Sequence, residues 1–417
     1  MRLAAAALGG RQRYDGHRVY RLRPASMEQA RALRSLQGRS ADTGVSFWTE
    51  ARGANCSVDV MVSPHELPGF MLLVDELRLH SELYIEDVQR LIDNEQPKMK
   101  SQASFSWDRY YGLEQIQAWL RSLSSQYPSV VTLLDAGSSY EGRRILGVRL
   151  SHKAGNKAVF IEGGIHAREW ISPATVTYIL NQLLTSTDSQ VKSAVLGYDW
   201  YIFPSTNPDG YEYTHTTNRM WRKSRRQVGS DNGQVCYGVD LNRNWAFHWN
   251  GETIFRSENE VISTAAPCSE TYPGPSAFSE AETSSLSSYI GNLTSTLKLY
   301  ISFHSYGQKI LAPYGVYGVE PSNEAALLSA GKAAAAALAK RYGTEYEVGS
   351  IVDIEYVAPG SSVDWARGTA DVPFAFAYEL RDSGQYGFLL PAVQILPTSQ
   401  ETLDSVLALL AEASKSF

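Results

Sequence analysis

The chain has 417 residues, 43% of them hydrophobic, a formal net charge of −6 and a pI near 5.8. This is enough apolar material for a sizeable core and enough length for two or three domains. The acidic balance excludes nucleic acid as a main partner, because the one dense basic cluster is Arg222-Lys223-Ser224-Arg225-Arg226. No run approaches the roughly eighteen apolar residues of a membrane span.

Arg2 ahead of a short alanine-rich stretch reads as a thin secretion leader, assigned to residues 1–16. Residues 17–100 read as a separate small α+β unit. Residues 18–22 alternate like a strand, and 26–36 form a helix behind Ser26 as cap. Residues 45–48 and 58–62 follow as strands. Ser63-Pro64-His65-Glu66 then opens a helix with a cap, a first-turn proline and a Glu at the third position. Residues 72–84 return toward strand, and 85–94 have helical apolar spacing. The order β-α-β-β-α-β gives a ferredoxin-like sandwich. A polar, basic hinge near residues 95–103 ends the unit, and exposure there invites a trypsin-like protease to cut after Lys98 or Lys100. Composition alone fits an ordinary linker as well.

Residues 101–417 form the second unit, in which strands and helices alternate from about Tyr110. That predicts an α/β fold, a largely parallel sheet with helices on both faces. The apolar run 158–161 leads into Ile165-His166-Ala167-Arg168-Glu169-Trp170, and Ser172-Pro173 supplies a cap and first-turn proline for a helix through Leu183. Residues 200–204 form a strand that breaks into a turn-rich loop over 205–210. A further strand ends at His304, residues 329–342 form an alanine-rich helix, and 374–378 form the last strand, which delivers Glu379. Residues 403–410 are amphipathic and pack on the sheet. Of three cysteines, Cys236 and Cys268 can close a loop worth about 3 to 4 kcal/mol by chain entropy, leaving Cys56 unpaired. With sequons at Asn55 and Asn292 they favour an oxidising, extracellular setting.

His166 and Glu169 are half of a metal site. A catalytic zinc takes three protein ligands and leaves a position open, so a third donor is needed, and His304 ends a comparable apolar run. Taken alone, His-x-x-Glu is as well read as a solvated helix face with an i,i+3 pair. Peptide hydrolysis also needs a base for the attacking water and a cation where the oxyanion forms. Glu379 is placed for the first and Asn218-Arg219-Met220-Trp221-Arg222-Lys223 for the second. Asp240-Leu241-Asn242-Arg243-Asn244-Trp245 adds an Asn/Arg pair suited to a carboxylate, because arginine's planar fork matches two oxygens.

In this order the motifs resemble the pancreatic-type zinc carboxypeptidases, the A/B branch, along nearly the whole chain. The matching segments include His166 to Trp170, Asn207-Pro208-Asp209-Gly210-Tyr211, Phe303-His304-Ser305-Tyr306, Ile354-Glu355-Tyr356 and Glu379-Leu380-Arg381-Asp382. The resemblance implies an α/β exopeptidase domain with a mixed, mostly parallel sheet behind an inhibitory prodomain, so the hinge becomes an activation site and the chain a secreted, monomeric zymogen. It implies one zinc held by His166, Glu169 and His304, with Glu379 as general base and later proton donor. By the same likeness Arg222 stabilises the oxyanion. Asn242, Arg243 and Tyr356 grip the C-terminal carboxylate of a peptide or protein, Arg168 and Arg219 line its approach, and Asp240 orients a zinc-bound imidazole. Val363 falls at the base of the side-chain pocket, where A-type members carry an apolar residue and B-type members an acid. Leu311, Gly315, Ile351, Ala358 and Ala377 complete an apolar wall, favouring aromatic or aliphatic C-terminal residues. Glu355 departs from the A-type pattern, and the stretch from Asp364 to Glu379 is one residue longer. Removal of Lys or Arg is the alternative specificity, and an inactive peptide-binding homologue the alternative function.

Overall fold

Side-chain alternation along three adjacent strands sorts the larger unit into two packed layers. In the computed structural model, which describes residues 10–38, 44–96, 104–153, 155–231, 233–251 and 266–417, these strands are Lys157–Gly163, Leu297–Ser305 and Phe374–Leu380. They are parallel, with Ser302 opposite Glu162 and His304 opposite Glu379. Val159, Ile161, Leu299, Ile301, Phe303, Phe374, Phe376 and Tyr378 face one buried layer. Ala158, Phe160, Tyr300, Ala375 and Ala377 face the other. On this second face the pattern turns polar toward the carboxyl ends, at Glu162, Ser302, His304 and Glu379, and that polar edge is where the site forms.

The full sheet has eight strands, in the order Glu347–Ser350, Lys309–Ala312, Phe374–Leu380, Leu297–Ser305, Lys157–Gly163, Tyr198–Phe203, Arg144–Leu150, Val131–Ser138. The four central strands run parallel, and antiparallel pairings appear toward both edges, so the sheet is mixed as expected. Helices Ile171–Thr185, Glu324–Tyr342 and Ile395–Ala413 cover one face, and Ala281–Gly291 and Ser362–Gly368 the other.

Four local expectations change. Ser172 lies inside the helix that begins at Ile171 rather than capping it. Its hydroxyl donates to the Phe303 carbonyl at 2.6 Å and accepts from the Gly164 amide at 3.0 Å, tying the helix to the sheet. The expected loop at 205–210 is shorter, because Asn207 caps a helix over Pro208–Thr216 by accepting from the Gly210 amide at 3.0 Å. The terminal helix packs chiefly against the Ile171–Thr185 and Glu324–Tyr342 helices, while Leu403, Val406 and Leu409 reach the core. Glu379 sits in the penultimate position of its strand rather than beyond it, and the strand expected to end at His304 runs one residue further, to Ser305. The Cys236–Cys268 disulfide forms across 32 residues and Cys56 is free.

The N-terminal unit has a four-stranded antiparallel sheet, ordered Val45–Phe47, Val58–Val62, Arg18–Arg23, His80–Ile85. Helices Met27–Gly38 and Leu67–Glu76 join Leu22, Val58, Val60, Phe70 and Val74 in one core, the ferredoxin-like arrangement. Residues 63–66 form a turn and the helix starts at Leu67, with Pro68 in its first turn. It runs through Glu76, so the strand expected over 72–84 begins only at His80. Phe70 and Val74, four apart, bury one face of that helix, and this contact outweighs the strand preference. The last helix is Val88–Asn94, capped by Asp87. Lys98, Lys100 and the first nine residues of the leader lie outside the described residues.

Candidate metal and catalytic site

Three buried donors from two strand ends converge. His166 lies three residues after its strand, Glu169 three residues further on in a non-helical turn, and His304 on the neighbouring strand. One ligand atom from each lies within 4.8 Å of the others, the one such group among the described residues. The two Nδ1 atoms of His166 and His304 face each other at 3.1 Å, and Glu169 oxygens lie 2.8 Å and 3.2 Å from them. Two imidazole lone pairs pointing at one another beside a carboxylate are repulsive unless a cation lies between them. The donor set therefore fits a zinc ion. Burial keeps the His304 imidazole neutral, although Glu169 pulls the other way. Burial also opposes ionisation of Glu169, yet His166 and His304 hold its carboxyl well below the usual range.

Behind His166, Asp240 Oδ1 meets Nε2 at 3.0 Å, as the motif implied. The other Asp240 oxygen accepts from Arg222 Nε (3.1 Å) and Nη2 (2.8 Å), leaving Nη1 3.9 Å from a Glu169 oxygen. Burial opposes these charges as well, but Arg222 and His166 keep Asp240 ionised and Asp240 raises the guanidinium in turn. Asn242 and Arg243 follow in a short 3-10 turn that Asp240 caps. Arg243 donates to the Tyr356 hydroxyl at 2.9 Å and to the Asn242 carbonyl at 2.8 Å, so the three residues expected to grip a carboxylate lie together.

His166, Glu169, Arg222, Asn242, Tyr356 and Glu379 share a cavity of about 270 Å³. Burial, then the charges of Glu169 and Glu355, push the Glu379 carboxyl well above the ordinary range, and Lys309 and Arg222 pull it back. Lys309 is paired in register with Glu379 on the adjacent antiparallel strand and bonds Glu355 at 2.6 Å. No local pattern announces this ion pair, because residues 46 positions apart meet only through the sheet. Val363 is buried with Leu311, Ile351, Ala358 and Ala377, as the apolar wall required, but is not on the wall of this cavity. Behind it, burial pushes the Asp364 carboxyl up to about 7 while its Oδ2 accepts from the Gly315 amide at 2.8 Å.

Two expected peptide-lining residues are occupied. Arg168 stacks on Phe388 and pairs with Glu270 at 3.2 Å. Arg219 is 1% exposed, stacks on Trp170, and pairs with Glu95 of the N-terminal unit at 2.7 Å. Neither is open to a peptide: Arg168 is held by Glu270 and Phe388 of its own unit, and Arg219 through Glu95 by the N-terminal unit. Val19, Trp48, Met61, Ile85 and Val88 of that unit share a core with Met220, Tyr306, Phe388 and Leu389. Asp59 accepts from Arg21 at 2.7 Å and from the Tyr306 hydroxyl at 2.7 Å. Arg52 donates to the Ile354 carbonyl, and the Glu50 carboxyl, raised by burial, is drawn down by Arg243 and Arg222. These docking residues were missed in the sequence. The one available signal was alternation: Asp59 and Met61 lie on the opposite face of their strand from Val58, Val60 and Val62.

Two family models match: "Carboxypeptidase activation peptide" over residues 20–95 and "Zinc carboxypeptidase" over residues 116–405. The chain is 46% identical to Zinc carboxypeptidase A 1 of Anopheles gambiae, over 96% of this chain and 90% of that one. It is 42% identical to Carboxypeptidase B of Astacus astacus, over 72% and 95%. The solved carboxypeptidase A of Helicoverpa armigera superposes with a TM-score of 0.85 at 30% identity, covering 97% of this chain and 98% of that one.

Proposed function

The chain belongs to the zinc carboxypeptidase family and carries that family's activation peptide, and from this premise we propose that it is a secreted zymogen. After cleavage near Lys98 or Lys100 by a trypsin-like protease it removes single aromatic or aliphatic residues from peptide C-termini. Residues 17–100 act as the inhibitory unit and 101–417 as the enzyme. What supports this reading most is that Glu379 and Arg222 face the same cavity as His166 and Glu169.

In this mechanism His166, Glu169 and His304 hold one zinc ion, which when bound acidifies water and polarises a carbonyl. Asn242, Arg243 and Tyr356 bind the terminal carboxylate and set the scissile bond against Glu379. The Glu379 carboxylate accepts the proton of the attacking water and returns it to the amine nitrogen as the C–N bond breaks. Arg222, held by Asp240 on one edge, offers Nη1 to the oxygen that gains charge. An internal peptide bond presents no carboxylate to Arg243, and leaving that guanidinium unpaired costs about 2 to 3 kcal/mol in discrimination.

The buried apolar set around Val363 favours an apolar side chain, and Lys309 neutralises Glu355. A second reading, removal of Lys or Arg, draws on Glu355 standing on the cavity wall, and relatives named for both the A and the B types fit either. The test is trypsin-treated, zinc-loaded protein offered two peptides that differ only in a terminal Phe or Lys. Faster release of Lys replaces the first reading with the second. Release of neither leaves a peptide-binding homologue.

A further inference from the structure

Tyr356 reaches the cavity from a turn with little backbone support. The strand Glu347–Ser350 leads into one helical turn, Ile351–Ile354, capped by Ser350, which ends where Glu355 leaves helical geometry at φ −111°, ψ −101°. The Glu355 amide bonds the Ile351 carbonyl at 2.9 Å, and the Ala358 amide bonds the Gly315 carbonyl at 2.8 Å. Between them the amides of Tyr356 and Val357 have no backbone partner among the described residues. A side chain on such a turn keeps its aim only where other groups hold the turn in place.

Three basic side chains hold this one. Arg243 bonds the Tyr356 hydroxyl at 2.9 Å. The other two meet at the Ile354 carbonyl, which accepts from Lys309 Nζ at 2.8 Å and from Arg52 of the N-terminal unit. Lys309 Nζ also donates to Glu355 Oε1 at 2.6 Å, so one ammonium bridges the two residues just ahead of Tyr356. The Lys309 and Glu355 side chains are 12% and 16% exposed, buried enough for the pair to escape most solvent screening. They line the same cavity as Tyr356 and Glu379. A methyl group built on Gly307 would lie 3.5 Å from Glu379 Cβ, 3.8 Å from Glu355 Oε1 and 3.9 Å from Lys309 Cδ, so the pair stands beside the base.

The three anchors have different fates. Arg52 leaves with the N-terminal unit, and Arg243 has to turn its guanidinium to an incoming carboxylate. Lys309 stays bonded to the base of the turn before and after both events. We propose that Lys309, through the Ile354 carbonyl and Glu355, positions Tyr356 to grip the terminal carboxylate in the activated enzyme. Glu355 is then a brace for the clamp and not a receptor for a basic side chain, because its carboxylate already holds Lys309. Lys309 acts through Tyr356 and is a positioning residue. Sequence spacing hides the arrangement, since Lys309 and Ile354 lie 45 positions apart.

The inference rests on the clamp reading above, and the trypsin-activated, zinc-loaded enzyme separates the two. Lys309→Met keeps the aliphatic stem and removes the donor. It is expected to raise KM for a peptide ending in Phe about tenfold, the worth of one hydrogen bond to a charged group, while kcat changes by less than about twofold. Glu355→Gln leaves the bond to the Ile354 carbonyl intact and is expected to raise KM less. Added to Tyr356→Phe, Lys309→Met should have little further effect, because the hydroxyl it aims is already gone. Calorimetry with the same peptide on the Glu379→Gln enzyme reads affinity without turnover. There Lys309→Met should weaken binding of the free acid about tenfold and leave binding of the C-terminal amide unchanged. Unchanged KM and affinity, or the full loss persisting beside Tyr356→Phe, overturns the brace and leaves the carboxypeptidase reading standing. A fall in kcat with KM unchanged does the same, since it places Lys309 on Glu379 instead. A wild-type enzyme that neither binds nor cleaves the peptide overturns both.

Discussion

The metal end of the sheet and the seam with the N-terminal unit both bury charge, but they balance it differently. At the seam the ion pairs are already made: Arg219 with Glu95 across the boundary, and Arg21 with Asp59 inside the N-terminal unit, where Asp59 also accepts from the Tyr306 hydroxyl of the larger unit. At the metal end Glu169 and Glu379 share a cavity with His166, and Arg222 is already committed to Asp240. The seam is electrostatically complete as it stands, so it can hold a closed state. The metal end is complete only with a cation, which suits a group that works by binding and releasing substrate.

The largest effect should follow from breaking the metal end. Glu379→Gln is expected to lower turnover about 10³-fold or more with zinc content unchanged, measured by peptide hydrolysis beside metal analysis. Appreciable activity in that variant would remove Glu379 from the chemistry. Breaking the seam should come next. Glu95→Gln leaves Arg219 buried without its counter-charge, which costs about 3 to 5 kcal/mol in the docked state. Activity should appear faster after proteolysis, and a time course identical to wild type would show that the pair does not hold the unit in place.

A third experiment uses a buried acid that belongs to neither region. Burial pushes the Glu282 carboxyl from 4.5 up to about 7, with one oxygen unpartnered and the other accepting from the Tyr140 amide. Its folded pKa lies above its unfolded one, so ionisation destabilises the fold. The cost is absent below about pH 4.5, grows as pH rises toward 7 and is full above it. Glu282→Gln should therefore stabilise the protein by up to about 3 kcal/mol at pH 8 and leave it unchanged at pH 4, by denaturant titration. An equal gain at both pH values would refute the assignment. The smallest effect concerns specificity: Val363→Asp should move preference toward a terminal Lys by about 2 kcal/mol in kcat/KM ratio, and no movement would place Val363 outside the pocket.

Much of the site was legible because its residues sit in short motifs with a chemical reason for their spacing. His166 and Glu169 are three residues apart, Asn242 and Arg243 are adjacent, and Asp240 caps the turn that carries them. The small strands of the N-terminal unit were read correctly from alternation, whereas Leu67–Glu76 was mistaken in part for strand, since short apolar runs lack a clear period. Arg168 and Arg219 were expected open to a peptide and are covered. Nothing local to either residue announces Phe388 or Glu95, which reach them from 220 and 124 positions away.

The sequence by itself determined the candidates for metal donors, base and clamp and the two-unit organisation, because each depends on residue type, local spacing or composition. Only the tertiary structure decided which charges neutralise which. Lys309 against Glu355, Glu95 against Arg219 and Tyr300 against Glu162 are pairings made by sheet register and docking. Coulombic and hydrogen-bond energies depend on distances of a few ångströms that chain separation does not encode.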